Sequence, residues 1–131
     1  MAANTDTVRK VYDAFGKGDV PTVLGAMDDK VDWQEPASLP YENQVGPQAV
    51  AENVFGVVIN DLENFTVTPH EIVDGGDIIT AIGVYRGKGA KTGVELDADF
   101  VHIWRFNDAG KVSGFRTYTD THLWRQALGV A

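Results

Sequence analysis

Residues 94–118 constrain this chain more than any other segment. They read Val94-Glu-Leu-Asp-Ala-Asp-Phe-Val-His-Ile-Trp-Arg-Phe106, then Asn-Asp-Ala-Gly-Lys, then Val112-Ser-Gly-Phe-Arg-Thr-Tyr118. Side chains in a strand alternate between faces. Val94, Leu96, Ala98, Phe100, His102, Trp104 and Phe106 therefore share one face, apolar apart from a single histidine. The intervening turn predicts an antiparallel partner strand. If Asn107 to Gly110 form that turn, Phe106 lies opposite Lys111, His102 opposite Phe115, Phe100 opposite Thr117 and Ala98 opposite Thr119. The inner face of the last strand is then Phe115, Thr117 and Thr119. The outer face holds Asp99, Val101, Ile103, Arg105, Val112, Arg116 and Tyr118. An imidazole on an aromatic surface must find a partner or stay neutral, because burying an unpaired charge is costly. His102 is thus the first candidate for chemistry.

At 131 residues the chain is expected to form one domain spanning 1–131. A net charge of −8 with only 11 Lys plus Arg repels phosphate backbones, so nucleic acid is not an expected partner. There is no cysteine, which rules out disulfides, thiolate nucleophiles and Cys-ligated metals. No His/Asp/Glu spacing suggests a metal site, and no cofactor is expected. The N-terminus lacks the apolar core of a signal peptide, and no apolar run approaches the roughly 20 residues of a membrane helix. A cytoplasmic location and no membrane partner are the expectation.

The remaining elements follow from periodicity and caps. A first helix starts near Asn4 to Asp6, with Val8, Val11, Tyr12 and Phe15 on one stripe, and ends at Gly16 and Gly18. Asp19 caps a short second helix with Pro21 in its first turn. Residues 31–35 alternate and stop before Pro36 as a short strand; 37–46 read as a loop. Pro47 opens a third helix to about Glu63, its buried side formed by Val50, Val54, Val57, Val58 and Leu62. Strands 65–73 and 78–86 meet at Asp74-Gly75-Gly76-Asp77, a hairpin signal. A last helix over 123–128 follows Asp120 or Thr121. Helices gathered on one side of a mostly antiparallel sheet make an α+β domain. The partly apolar outer face, through Val101 and Ile103, would be covered by a second copy of the chain.

Three stretches, Tyr12-Asp-Ala-Phe-Gly-Lys-Gly-Asp19, Trp33-Gln-Glu-Pro36 and Trp104-Arg-Phe-Asn-Asp-Ala-Gly-Lys111, resemble the nuclear-transport-factor-2-like superfamily. The branch they resemble is the ketosteroid isomerase and SnoaL-like polyketide cyclase group. The resemblance covers nearly the whole chain. It implies a cystatin-like fold, in which a curved sheet wraps around the N-terminal helices and leaves a cone-shaped pocket, commonly in a homodimer. It also implies that Glu35 stands where those isomerases carry their aspartate base. His102 stands where they carry a protonated aspartate in the oxyanion hole. The isomerase serves as a standard example of carboxyl groups tuned apart by their surroundings. Tyr12 lies one residue from the oxyanion-hole tyrosine, Val11 being the strict match. Thr117 replaces the catalytic aspartate of the SnoaL-like cyclases and limonene epoxide hydrolases, which argues against both of those mechanisms.

Two functions stay open on these residues. In the first, the chain is a cofactor-free enzyme for an apolar carbonyl compound. Glu35 would remove a proton beside the carbonyl, and His102 with Tyr12 would stabilise the enolate. The reaction would be of isomerase, cyclase or dehydratase type. In the second, it is a non-catalytic small-molecule-binding dimer. Both use Trp33, Phe100, Trp104, Phe115, Thr117 and Thr119 to hold a flat apolar ligand. The alternative for Glu35 is a solvated strand-end carboxylate, and for His102 a core histidine satisfied by Thr117 or a backbone carbonyl. Tyr12 reads also as a core residue whose hydroxyl reaches a polar neighbour. Asp97 and Asp99 read as outer-face charges near Arg116.

Overall fold

A computed structural model of the protein describes residues 2–130. Helix α1 (Ala2–Gly16) buries Val8, Val11 and Tyr12 as the stripe predicts, with Phe15 packed against the same core. It begins ahead of Asn4, whose side chain donates instead to the Gly76 carbonyl at 2.9 Å, tying the helix start to a distant hairpin. Helix α2 (Val20–Gly25) is capped by Asp19, which accepts from the Thr22 amide. Strand β1 (Met27–Gln34) is longer than predicted, and the following loop is interrupted by β2 (Gln44–Val45).

Helix α3 (Pro47–Val50) runs through a π-helical turn (Ala51–Phe55) into α4 (Gly56–Asp61). The wider turn changes which residues face inward. Phe55 joins Val50, Val54 and Val58 in the core, whereas Val57, predicted buried, is 39% exposed. Backbone extension begins at Leu62, so the third helix stops short of Glu63.

Strands β3 (Leu62–Gly75), β4 (Ile78–Gly89), β5 (Glu95–Phe106) and β6 (Val112–Thr119) form a consecutive antiparallel run, and α5 (Thr121–Leu128) follows with Asp120 as its N-cap. The sheet has six strands in the order β2-β1-β6-β5-β4-β3, and β1 joins β6 in parallel. It is a curved, open sheet with the N-terminal helices against it, an α+β architecture. Bulges supply part of that curvature. In β3, Asn64 and Phe65 oppose one residue of β4, with Asn64 at φ 53, a left-handed conformation that asparagine tolerates. Gly83 lets β3 and Phe100 close in, since a Cβ there would meet the Thr68 carbonyl oxygen at 2.1 Å.

The β5–β6 register differs from expectation by two residues. His102 pairs with Thr117, Trp104 with Phe115 and Phe100 with Thr119. The turn holds one more residue than predicted, the Asn107 side chain accepting the Ala109 and Lys111 amides. Ser113 then forms a bulge between the Arg105–Gly114 and Phe106–Val112 pairs. Two single-residue offsets restore the original parity, so Phe115, Thr117 and Thr119 still face inward. Val112 lies beyond the bulge and moves from the predicted outer face into the core, fully buried. Val94 precedes the strand and is exposed. Among the described residues no helix is long and apolar enough to cross a membrane.

Candidate functional site

The curvature leaves a cavity between the inner face of the sheet and the helices, lined mostly by apolar side chains. Helix α1 contributes Tyr12, β1 contributes Trp33, and β5 and β6 contribute His102, Trp104, Phe115, Thr117 and Thr119. Glu35, Leu39 and Tyr41 also border a polar groove with Glu42, Asn43, Gln44 and Asn53, so this segment forms the rim of the cavity. Phe100 is the one predicted ligand-holding side chain that does not line it. It sits behind His102, stacked at 3.8 Å between ring centroids, with Tyr85 4.8 Å away. Gly83 across the strand pair leaves the space that draws it into that second layer.

Glu35 follows the parity of Val31 and Trp33 and turns its carboxyl inward. Trp33 Nε1 donates to Glu35 Oε2 at 2.7 Å, while Asn43 Oδ1 accepts from the Glu35 amide at 2.8 Å and holds the strand end in place. Burial disfavours the carboxylate more than one indole N–H favours it, and the carboxyl is pushed up to about 7. Trp33 itself is fixed by stacking on Phe115 at 3.8 Å across the parallel β1–β6 pair.

His102 is buried with both ring nitrogens engaged. Tyr12 OH lies 2.6 Å from Nδ1 and Tyr85 OH 2.5 Å from Nε2. Trp104 Nε1 donates to Tyr12 OH at 3.0 Å, and Tyr85 OH is 2.8 Å from Thr117 Oγ1. Burial holds the imidazole well below its ordinary pKa, and burial raises the Tyr12 and Tyr85 hydroxyls above theirs. The whole cluster is uncharged at neutral pH. Glu35 is the cavity's one group shifted into the neutral range among those described.

Several lining residues escape the sequence reading. Tyr85 shares odd parity with Ile79 and Ala81 on β4, a signal present in the sequence but masked by the Gly83-Val84 interruption. Trp124 joins Ala127 and Leu128 on the buried stripe of α5. Its Nε1 is a buried donor with no partner among the described residues, a state that costs about 1–3 kcal/mol. Tyr41 donates to Asp61 Oδ2 at 2.9 Å from a loop, where no periodicity announces it. Asp97 pairs with Arg86 at 3.6 Å and not with Arg116, which donates to Gln34 Oε1 and covers the Tyr118 ring. His70 and His122 are exposed, and among the described residues no cluster of His, Cys, Asp or Glu has the grouping of a metal site.

The SnoaL-like domain family matches residues 8–115, and the chain belongs to that family. It is similar to a solved NTF2-like protein of unknown function from Burkholderia pseudomallei K96243, at 29% identity over 98% of both chains with a TM-score of 0.88. An NTF2-like protein from Burkholderia thailandensis E264 is 27% identical over 98% of both chains, with a TM-score of 0.91. TerC, co-crystallised with polyporic acid, shares the fold at 22% identity, covering 97% of this chain and 98% of its own, with a TM-score of 0.86. No curated protein matches the sequence.

Proposed function

For this member of the SnoaL-like family, we propose acid/base proton transfer on an apolar carbonyl compound, without a cofactor, with Glu35 as the base. One observation carries the reading. Glu35 is a carboxyl at the inner rim of an apolar cavity, held by a single indole N–H and pushed up to about 7. A base is most effective when its pKa lies near the working pH, and desolvation supplies that match here. The aromatic walls formed by Trp33, Phe115, Trp104 and Tyr85 suit a flat ring system. A relative of this fold co-crystallised with polyporic acid supports a small organic ligand.

In the proposed step Glu35 takes a proton from the carbon beside the carbonyl. The C–H electron pair forms a carbon–carbon double bond, and the carbonyl π pair moves onto oxygen as an enolate. Return of the proton to the same or another carbon completes exchange or isomerisation. His102 and Tyr12 belong to a hydrogen-bonded cluster lining the same cavity, and neither His102 nitrogen is free to donate directly.

The test uses β-tetralone in D₂O, followed by NMR. Wild type is expected to exchange the protons beside the carbonyl. Glu35→Gln keeps the shape and should lower the rate at least a hundredfold while leaving affinity within a few-fold. Binding without exchange in wild type would turn the reading to a non-catalytic binding protein. The full occupation of both His102 nitrogens favours that second reading. A homodimer, with the second copy on the Val101 and Ile103 face, is part of the proposal.

A further inference from the structure

Besides the Trp124 indole, unpartnered among the described residues, the cavity has a second free hydrogen-bond donor, which we infer to be the Thr117 hydroxyl, with His102 a positioning residue inside a one-way hydrogen-bond chain ending there. The inference rests on reading the cavity as a carbonyl site. Its physical content is proton counting along Trp104, Tyr12, His102, Tyr85 and Thr117.

An indole N–H can only donate. Trp104 donates to Tyr12 OH, which leaves the phenol its single proton for His102 Nδ1. The imidazole is neutral and carries one proton, so an accepting Nδ1 places that proton on Nε2. Nε2–H then donates to Tyr85 OH, and Tyr85 passes its own proton to Thr117 Oγ1. Thr117 Oγ1 makes no other hydrogen bond among the described residues, so its O–H is left for whatever occupies the cavity it lines.

The reverse order is also sterically open. Thr117 would donate to Tyr85, Tyr85 to Nε2, and Nδ1–H to Tyr12, leaving the Tyr12 proton free. Tyr12 would then receive two donors, Trp104 and His102, competing for one phenolic oxygen. In the forward order both phenols accept once and donate once, so each bond polarises the next. The forward order therefore wins, and Trp104 decides it. For a bound ketone this places an O–H donor at Thr117 and the base at Glu35, both on the same cavity. The enolate oxygen formed when Glu35 removes the proton would accept from Thr117.

Two measurements separate this from the proposed catalysis. Nitrogen NMR of wild type is expected to show His102 protonated on Nε2 and bare on Nδ1; protonation on Nδ1 overturns the inference. The infrared carbonyl stretch of bound β-tetralone is expected to be lowered in wild type and in Tyr12→Phe. In Thr117→Val it should return to its value in apolar solvent, and Thr117→Ser should restore the lowering. A stretch unchanged by Thr117→Val, or abolished by Tyr12→Phe alone, overturns the assignment of Thr117. A wild type that does not bind β-tetralone removes Thr117's ligand role together with the carbonyl reading. The lowered stretch without proton exchange would sink only the role of Glu35.

Discussion

Trp33 and Glu35, neighbours on one face of the same strand register, share a 2.7 Å hydrogen bond from the indole N–H to the carboxyl. That bond favours the carboxylate, yet burial outweighs it and the carboxyl is pushed up to about 7. The Trp33 bond thus fixes the position of the candidate base, while burial sets the pH at which it would work.

The rate of β-tetralone exchange is therefore expected to rise with pH and level off above an apparent pKa near 7, as Glu35 deprotonates. A pH–rate profile checks this. A midpoint near the ordinary glutamate range would place the working carboxyl in solvent and exclude Glu35.

Stability should depend on pH through two opposed groups. Glu35 rises from 4.5 to about 7 on folding, so the folded state holds its proton more tightly, and stability falls as pH climbs through that window. His102 falls well below 6.5, so stability is lost as pH drops beneath 6.5. Each contributes a slope of up to roughly 1.4 kcal/mol per pH unit, and between pH 4.5 and 6.5 the two nearly cancel. Glu35→Gln leaves only the His102 slope. Urea unfolding should show the variant losing stability relative to wild type as pH is lowered from 6.5 to 4.5. Parallel curves would mean that Glu35 is not buried as described.

Gly83→Ala should cost more than about 2 kcal/mol, because the new Cβ meets a backbone carbonyl oxygen at 2.1 Å and cannot be relieved by a rotamer change. The midpoint of urea denaturation measures it. A loss below about half a kcal/mol would show that β3 and β4 are not held this close near Phe100.

The outer face carries Val101 and Ile103 beside Ile82 and Tyr118, the last two 37% and 50% exposed. Light scattering at micromolar concentration should give about twice the 14.2 kDa chain mass. Val101→Asp combined with Ile103→Glu should return the monomer with its far-ultraviolet circular dichroism intact. A wild-type mass of one chain would remove the dimer.

Local alternation and caps were enough to place most elements. The His102 strand, the Gly75-Gly76 hairpin and the Asp19 and Asp120 caps depend on interactions within a few residues, which a linear pattern records. The inward faces of Trp33 and His102 follow from period-two alternation, while those of Phe115 and Thr117 hold because two single-residue offsets cancel. The three motif stretches carried the family, since they lie in the segments that build the fold.

What tertiary structure alone decided came from irregularities and from contacts between distant segments. The longer turn and the Ser113 bulge set the pairing of His102 with Thr117, and the bulge drew Val112 inside. A π turn exchanged Val57 for Phe55, and Asn64 aimed Phe65 at the cavity. Such features arise where packing overrides the regular repeat, so periodicity cannot show them. The chain from Trp104 through Tyr12, His102 and Tyr85 to Thr117 joins four elements. Its direction is a property of proton placement in three dimensions, which no ordering of residues along the chain contains.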